Sequence, residues 1–571
     1  MPLSSLLRGL LQRLAATRLP GLHPLVLSAG AAALLVLLYN GQLWSAVLGW
    51  WPGRTVQDIA FLLSIGFVLA AAFFLVLQIF AFKRALKPIL VLIFLAAAGV
   101  SYFASAFGVM MDHAMIANVM QTDAHEAGDL MNASFLLHMA IYGLLPAAFI
   151  VLVPLHHHGI KRELMHRLGA VAACLLVIGT SATFFYQDYA VLVRGHREIR
   201  FMINPSAAIY GTVRYATAFP SAMAGEFKTI AAHAERRPAA DGRKTVIVLV
   251  VGETARADHF SLNGYERETT PRLAERGVVS FGEVRSCATS TADSVPCMFS
   301  DLARSDYSPA EAATRENLLD IAVRAGVDVI WLENNSSCKG VCARVPTRTS
   351  WEVSDPAHCD GSECSDEILV DMLKFAMASN DRDLLVVMHQ IGSHGPAYYK
   401  RSTPEFRAFA PTCETSQIQS CTEEQLINTY DNSIRYTDHI LGEVIDMLDK
   451  ASDRFDTALL YASDHGESLG EGGIYLHGLP YMFAPAAQTH IPMVFWASPA
   501  YREAASLDKG CLARNAGLDY SHDNLFHSVL GLFDIKTDVY RTDLDIFAPC
   551  RPAERTAVLM GGPETDGSAL R

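Results

Sequence analysis

The sequence predicts a two-part protein, an α-helical membrane domain of five transmembrane helices followed by an α/β domain whose helices and strands form an α/β/α sandwich, and three observations predict it. Long apolar runs fill the first third of the 571 residues. From Thr245 onward short apolar runs alternate with helical patterns, as they do where helices cover both faces of a mostly parallel sheet. Of 11 cysteines, all but Cys174 fall beyond the last long apolar run.

The apolar runs Leu25–Trp44, Ile59–Phe80, Ile89–Phe107, Phe135–Leu155 and Leu168–Phe185 are each long enough to cross a bilayer as a helix. Their flanks set the orientation. Arg8, Arg13 and Arg18 precede the first run, Lys83, Arg84 and Lys87 join the second to the third, and Lys161, Arg162 and Arg167 join the fourth to the fifth. The other connections carry Asp58, Asp112, Asp123, Glu126 and Asp129, with Arg54 the lone basic residue. Basic loops stay in the cytoplasm, so everything after the fifth run is predicted to lie outside.

Residues 1–186 are thus read as the transmembrane domain. Residues 187–244 follow as short bridging helices and a linker, with Gly195, Pro205 and Pro220 as breaks and Pro238 and Asp241-Gly242 in the boundary loop. Residues 245–560 form the exterior domain, and 561–571 a tail. Within the exterior domain Glu316–Ala325, Glu367–Ala378 and Gln425–Lys450 have helical patterning, and Val327–Leu332 reads as a strand.

Ten exterior cysteines form an even set at short spacings, which in an oxidising compartment reads as disulfide staples. Sequence neighbours pair Cys287 with Cys297, Cys338 with Cys342, Cys359 with Cys364 and Cys413 with Cys421, leaving Cys511 with Cys550. A formal net charge of −13 gives no basic footprint for nucleic acid.

Chemistry concentrates where apolar runs end. Val246–Val251 leads into Gly252-Glu253, Leu384–Met388 into His389 and then His394, and Thr457–Ala462 into Ser463-Asp464-His465-Gly466-Glu467. A buried parallel strand delivers such residues to its C-terminal edge, where open α/β sheets place their sites. Glu253, Asp464 and His465 would give a metal three of its ligands. A strand-end turn with a surface histidine is the competing reading of Asp464-His465, weakened by the recurrence at Glu253. The fourth group is expected to be a nucleophilic hydroxyl from Cys287–Cys297, and spacing does not choose among Thr289, Ser290 and Thr291.

Together with Ser294-Val295-Pro296-Cys297-Met298-Phe299, Asn334-Asn335 followed by Lys339-Gly340-Val341, and Ser393-His394-Gly395-Pro396, these segments resemble the lipid A phosphoethanolamine transferases. That family includes the mobile colistin-resistance enzymes and belongs to the alkaline phosphatase and sulfatase superfamily. The resemblance implies that Thr291 is the nucleophile and that Glu253, Thr291, Asp464 and His465 hold a catalytic Zn²⁺. It also implies that His394 and His477 hold the phosphoryl group or a second zinc, and that Lys339 contacts phosphate. Ala288 and Ser290 stand where relatives often carry glycine and alanine, small-for-small changes.

Asn118, Thr122 and Glu126 are four residues apart and so share one helical face in the exterior loop between the third and fourth runs. Taken alone this is a solvated polar face; the resemblance implies a lipid-headgroup surface. His389 reads as a strand-end histidine that positions its neighbours. His156-His157-His158 falls in a cytoplasmic loop, on the wrong side of the membrane for this chemistry.

The activity implied is transfer of phosphoethanolamine from phosphatidylethanolamine to a phosphate of lipid A by a monomeric inner-membrane enzyme with its catalytic domain in the periplasm. Resistance to polymyxin would follow. A Kdo or heptose of the lipopolysaccharide core is the alternative acceptor. Glycerophosphate transfer is disfavoured by the cysteine staples and the Ser294–Phe299 motif, and a noncatalytic scaffold by the intact ligand set.

Overall fold

The computed structural model describes residues 21–553 except 123, 224–226, 238, 240, 241, 354 and 362, and excepting the side chains of 124–126 and 218–223. Arg8, Arg13, Arg18, Asp123, Pro238, Asp241 and the tail 561–571 lie outside the described residues, as does the side chain of Glu126. The chain forms two compact units. One comprises the chain up to Asp112 with Met131–Thr212, and the other His113–Leu130 with Val213 onward.

In the first unit Val56–Ile79, Leu86–Phe107, Ala133–Leu152 and Ile160–Phe184 are long and apolar enough to cross a membrane. The first expected span, Leu25–Trp44, is not continuous. Pro24–Leu38 and Gly41–Trp50 meet at a bend of 59°. Asn40 explains the break: its amide nitrogen donates to Leu35 O and Asn204 O, both at 2.8 Å, and its Oδ1 accepts from Asn204 N at 2.8 Å. Asn204 in turn donates to Tyr39 O and Ala97 O. Backbone groups freed inside an apolar medium need such internal partners.

Ala133–Leu152 has a wide turn of its own, a π-helical stretch over Met139–Leu144. Pro146 follows and brings no N–H to the carbonyl of Tyr142. The Tyr39 hydroxyl donates to that carbonyl instead, at 2.5 Å. Past the last span come Tyr186–Gly195, Ile199–Met202 and Ser206–Met223. Gly195 and Pro205 fall at their breaks as expected, whereas Pro220 is carried inside the third helix.

The second unit is built on an eight-stranded sheet. In chain order its strands are β1 Lys244–Gly252, β2 Val279–Arg285, β3 Asp328–Glu333, β4 Thr347–Thr349, β5 Leu384–His389, β6 Phe455–Ser463, β7 His490–Ala497 and β8 Tyr520–Ser521. Their spatial order is β8-β2-β7-β6-β1-β5-β3-β4. β1 runs parallel to both β5 and β6, and β3 parallel to β5; β7 is antiparallel to β6 and β2.

Side chains alternate across this sheet. Ile247, Leu249 and Val251 of β1 share one core with Leu318, Ile321, Phe526 and Leu530. Thr457 of β6 faces the other way, and its hydroxyl donates to Leu448 O in the long helix Glu423–Lys450. Helices therefore cover both faces. Local signals set their ends: Thr422 and Gln425 close a capping box at the long helix, and Asn317 and Asp320 do so at Leu318–Arg324, which trims that helix relative to its apolar pattern.

All five disulfides are present in the expected pairing, Cys287–Cys297, Cys338–Cys342, Cys359–Cys364, Cys413–Cys421 and Cys511–Cys550. Cys174 is the free cysteine. Thiol labelling of unreduced, denatured protein should modify Cys174 alone. Labelling at any exterior cysteine would refute the pairing, and blocking periplasmic disulfide formation should make the exterior domain protease-sensitive, because loop cross-links chiefly penalise the unfolded chain.

Candidate active site

Register brings the strand ends together. Val251 of β1 lies opposite His389 of β5 and Ala462 of β6, and Gly252 lies opposite Ser463. The next residues along the chain, Glu253 and Asp464-His465, therefore leave adjacent strands side by side. All three are buried.

Thr291 reaches them from another direction. It is the first residue of the helix Thr291–Met298, and its Oγ1 lies 3.1 Å from Glu253 Oε2 and 3.3 Å from His465 Nε2. His465 Nε2 is also 3.4 Å from Glu253 Oε1 and from Asp464 Oδ2. Geometry thus separates the three hydroxyls that spacing left open. Thr289 donates to Leu479 O at 2.6 Å, and Ser290 occupies the cap position of the helix. Only the Thr291 hydroxyl, of these three, contacts the Glu253–His465 cluster.

Several residues hold this arrangement. Ser294 Oγ donates to Asp464 O at 2.5 Å, tying the Thr291 helix to the end of β6. His522 Nδ1 accepts from Cys287 N, and its Nε2–H donates to Ser463 O. Burial pulls the His522 imidazole down to about 4, in keeping with that neutral, one-donor role. At Gly466 a Cβ would run into the carbonyl of Ala487, so no other residue lets the chain pass after His465.

The electrostatics call for a cation. Burial, and then the neighbouring Asp464 carboxylate, push the Glu253 carboxyl well up from its ordinary value. Burial pulls His465 down to about 4. Its Nδ1 donates to Gly466 O at 2.9 Å, leaving the Nε2 lone pair turned to the cluster. Asp464 Oδ1 accepts from the backbone N–H groups of Thr254 and His465, whereas Oδ2 is buried without a hydrogen-bond partner. Two carboxylates, an imidazole and a hydroxyl suit Zn²⁺, and the unsatisfied Oδ2 is the atom such an ion would take.

The other predicted residues divide. His477 lies beside the cluster, its ring centroid 4.4 Å from that of His465 and 5.6 Å from that of His394. Glu467 accepts from His477 Nδ1 at 2.9 Å and from the Tyr398 hydroxyl at 2.6 Å. His465, Glu467 and His477 thus make a second set able to hold a metal. Lys339 is on the loop that follows β3, but its ammonium is hydrogen-bonded to Ser336 Oγ at 2.8 Å. His389 is fully buried against Glu333, 2.9 Å away, as a positioning residue would be.

Asn118 and Thr122 belong to the helical segment His113–Gln121 and its end, and the Thr122 hydroxyl donates to Asn118 O. Glu126 falls in a separate helix, Ala124–Leu130, so the three residues do not share the face of one continuous helix as expected; its side chain is outside the described residues. His158 is grouped with His23 and His166 in the first unit, apart from this chemistry.

Sequence reasoning missed four supporting residues. Asn335 donates to Glu253 Oε2 at 2.8 Å and to Gln390 O. Glu467, Ser294 and His522 were the others; the first two sat inside recognised motifs without a role of their own.

Comparison with known proteins shows the family and the fold. Residues 245–535 match the Sulfatase family model, and residues 69–218 match that of phosphoethanolamine transferase EptA/EptB. The chain is 40% identical over 525 residues to phosphoethanolamine transferase EptA of Salmonella typhimurium, covering 90% of this chain and 95% of that one. It is 37% identical to phosphatidylethanolamine transferase Mcr-1 of Escherichia coli, over 90% and 96% of the two chains. The solved structure of the integral membrane lipooligosaccharide phosphoethanolamine transferase A of Neisseria meningitidis superposes with a TM-score of 0.91 at 39% identity, covering 93% of this chain and all of that one.

Asp464→Asn provides the sharpest test of the cation cage. It removes one of two mutually repelling charges, so the metal-stripped variant should melt no lower than stripped wild type. A ligand at 100 times its Kd stabilises by about 2.7 kcal/mol. Wild type should gain stability of that order on adding zinc, read as a rise in Tm, and the variant little. An equal rise in both would place the ion elsewhere.

Proposed function

The chain belongs to the phosphoethanolamine transferase family that includes EptA and Mcr-1, and from that premise we propose that it moves phosphoethanolamine from phosphatidylethanolamine to a phosphate of lipid A by way of Thr291. The observation that carries this reading is the Thr291 hydroxyl held between Glu253 and His465 at the common edge of three parallel strands. Neisserial lipooligosaccharide and Kdo₂-lipid A appear in the names of relatives, which agrees with an acceptor of this class.

In the first half-reaction Thr291 Oγ1 attacks the donor phosphorus, and the bond from phosphorus to the diacylglycerol oxygen breaks. Diacylglycerol leaves after taking up a proton, and phosphoethanolamine remains esterified to Thr291. In the second, an oxygen of a lipid A phosphate attacks the same phosphorus, and Thr291 departs as the leaving group. Zinc, held by Glu253, Thr291, Asp464 and His465, would lower the pKa of the hydroxyl and offset charge on the phosphoryl oxygens.

This chain's own groups do the rest. Glu467 takes the Nδ1 proton of His477 as a hydrogen bond, so Nε2 is the atom that accepts or returns a proton. His394, His477 and, after leaving Ser336, Lys339 place positive charge or donors around the transferring group. Asn118, Thr122 and Glu126 form the headgroup surface, where the carboxylate would meet the ethanolammonium. An amine added to lipid A weakens its attraction for cationic peptides, which accounts for polymyxin resistance.

Cells expressing the protein should yield lipid A carrying phosphoethanolamine by mass spectrometry, and Thr291→Ala should abolish it while leaving the protein inserted and folded. Trapped phosphoethanolamine should map to Thr291. Modification near the wild-type rate in the variant, or label on Thr289 or Ser290, would overturn the assignment; label on a Kdo or heptose would move the acceptor.

A further inference from the structure

His113–Leu130 lies in sequence between the third and fourth spans, yet it forms one compact unit with the α/β domain. Both of its ends are fastened, and each fastening stands beside a histidine assigned above to the phosphoryl group. At the start, the helix His113–Gln121 packs on the Thr291 helix. Met115 is buried there against Gly478, next to His477; a Cβ at Gly478 would collide with Met115 Cε. The same glycine donates its N–H to Thr289 O, on the approach to Thr291.

At the far end the fastening is ionic. Lys400 Nζ lies 2.6 Å from Asp129 Oδ1 and 3.5 Å from Glu363 Oε1. Arg401 reaches Glu363 Oε2 at 2.5 Å and Asp129 Oδ2 at 3.9 Å. The remaining guanidinium nitrogen, Nε, donates to the backbone carbonyl of His394 at 3.0 Å. Two cations and two anions thus close on themselves. The Cys359–Cys364 disulfide closes the short loop that carries Glu363.

Burial decides whether such a cluster matters. The Arg401 side chain is 4% exposed, and those of Glu363 and Asp129 are 13% and 16% exposed. Burial by itself would raise the Glu363 carboxyl, but Arg401 and Lys400 outweigh it and hold the group below its ordinary value. Lys400 is the most exposed member, at 29%. A largely buried quartet that is matched in charge, with one member hydrogen-bonded to the backbone of His394, fixes a distance as well as an affinity.

We propose that Asp129, Lys400, Glu363 and Arg401 form a positioning clamp that holds the donor-headgroup segment in register with His394. The inference rests on the proposed function and adds to it four residues that no motif or ligand set includes. They touch neither substrate nor metal; they act by fixing where Asn118 and Thr122 stand relative to the histidines. A clamp of this kind affects productive docking of a lipid donor more than the chemical step.

The test uses the full-length protein in vesicles of phosphatidylethanolamine and phosphatidylglycerol, with transfer measured against donor mole fraction. Asp129→Asn and Lys400→Met should each raise the apparent KM about 5-fold, the upper end for a partly exposed ion pair. They should leave kcat within about twofold. The double variant should be no worse than either single one, because both remove the same contact. Asp129→Glu should restore the wild-type KM, and with a soluble short-chain donor all four variants should behave like wild type. Additive losses, a fall in kcat at constant KM, or variants that melt earlier with unchanged KM would each overturn the clamp and leave the function standing. Absence of transfer by wild type would instead overturn the function, and the clamp with it.

Discussion

Two carboxylates buried side by side are the constraint around which the second unit is organised. Glu253 and Asp464 emerge from adjacent parallel strands because their apolar runs are in register, and like charges so placed without water repel strongly. The protein supplies donors, but unevenly. Asn335 and Thr291 serve Glu253, and two backbone N–H groups serve Asp464 Oδ1. Oδ2 has none. That asymmetry turns a folding liability into a directional site: the unsatisfied oxygen, the Nε2 lone pair of His465 and the Thr291 hydroxyl converge where a cation would be most stabilising. The sheet, rather than any loop, sets the spacing.

This is why the centre of the site was readable in the sequence. A strand buried on both faces is a nearly continuous apolar run, so a glycine and a carboxylate at its end stand out against it. Periodicity also located the helices Glu367–Ala378 and Glu423–Lys450. The antiparallel strand His490–Ala497 escaped because Pro492 interrupts its run, and proline argues against a central strand. The structure accommodates it with a register shift between Ile491 and Met493. Asn335, His522 and Ser294 escaped for another reason. Each acts on residues remote in sequence, through hydrogen bonds that leave no local pattern; His522 bridges Cys287 and Ser463, and nothing near position 522 announces it.

Hydropathy had a related blind spot in the membrane unit. A window of apolar residues averages over one asparagine, so Leu25–Trp44 read as a single span. Asn40 is nonetheless the residue at the bend, because its partner Asn204 arrives from beyond the fifth span and exchanges hydrogen bonds with it. Similarly, the bulge in the fourth span is set by Pro146 together with a tyrosine from the first. In both cases a carbonyl released by the helix is met by a distant side chain. The location of the break depends on tertiary contact, and only its possibility is written locally.

The same distinction bears on what a domain is in this protein. Divided along the sequence, residues 113–130 belong to the membrane half, since spans flank them on both sides. Divided by contact, they belong to the α/β body, through Met115 at one end and Asp129 at the other. The chemistry gives a reason for the double membership. In the proposed reaction the bond to be broken joins a headgroup to an acylated glycerol, so recognition must reach a molecule anchored in lipid while Thr291 stays beside a rigid sheet edge. A segment covalently continuous with two spans, and packed against the helix that bears Thr291, satisfies both demands with one stretch of chain. Were the proposed headgroup surface built on the α/β domain alone, it would have to find each donor without any covalent tie to the layer in which that donor resides.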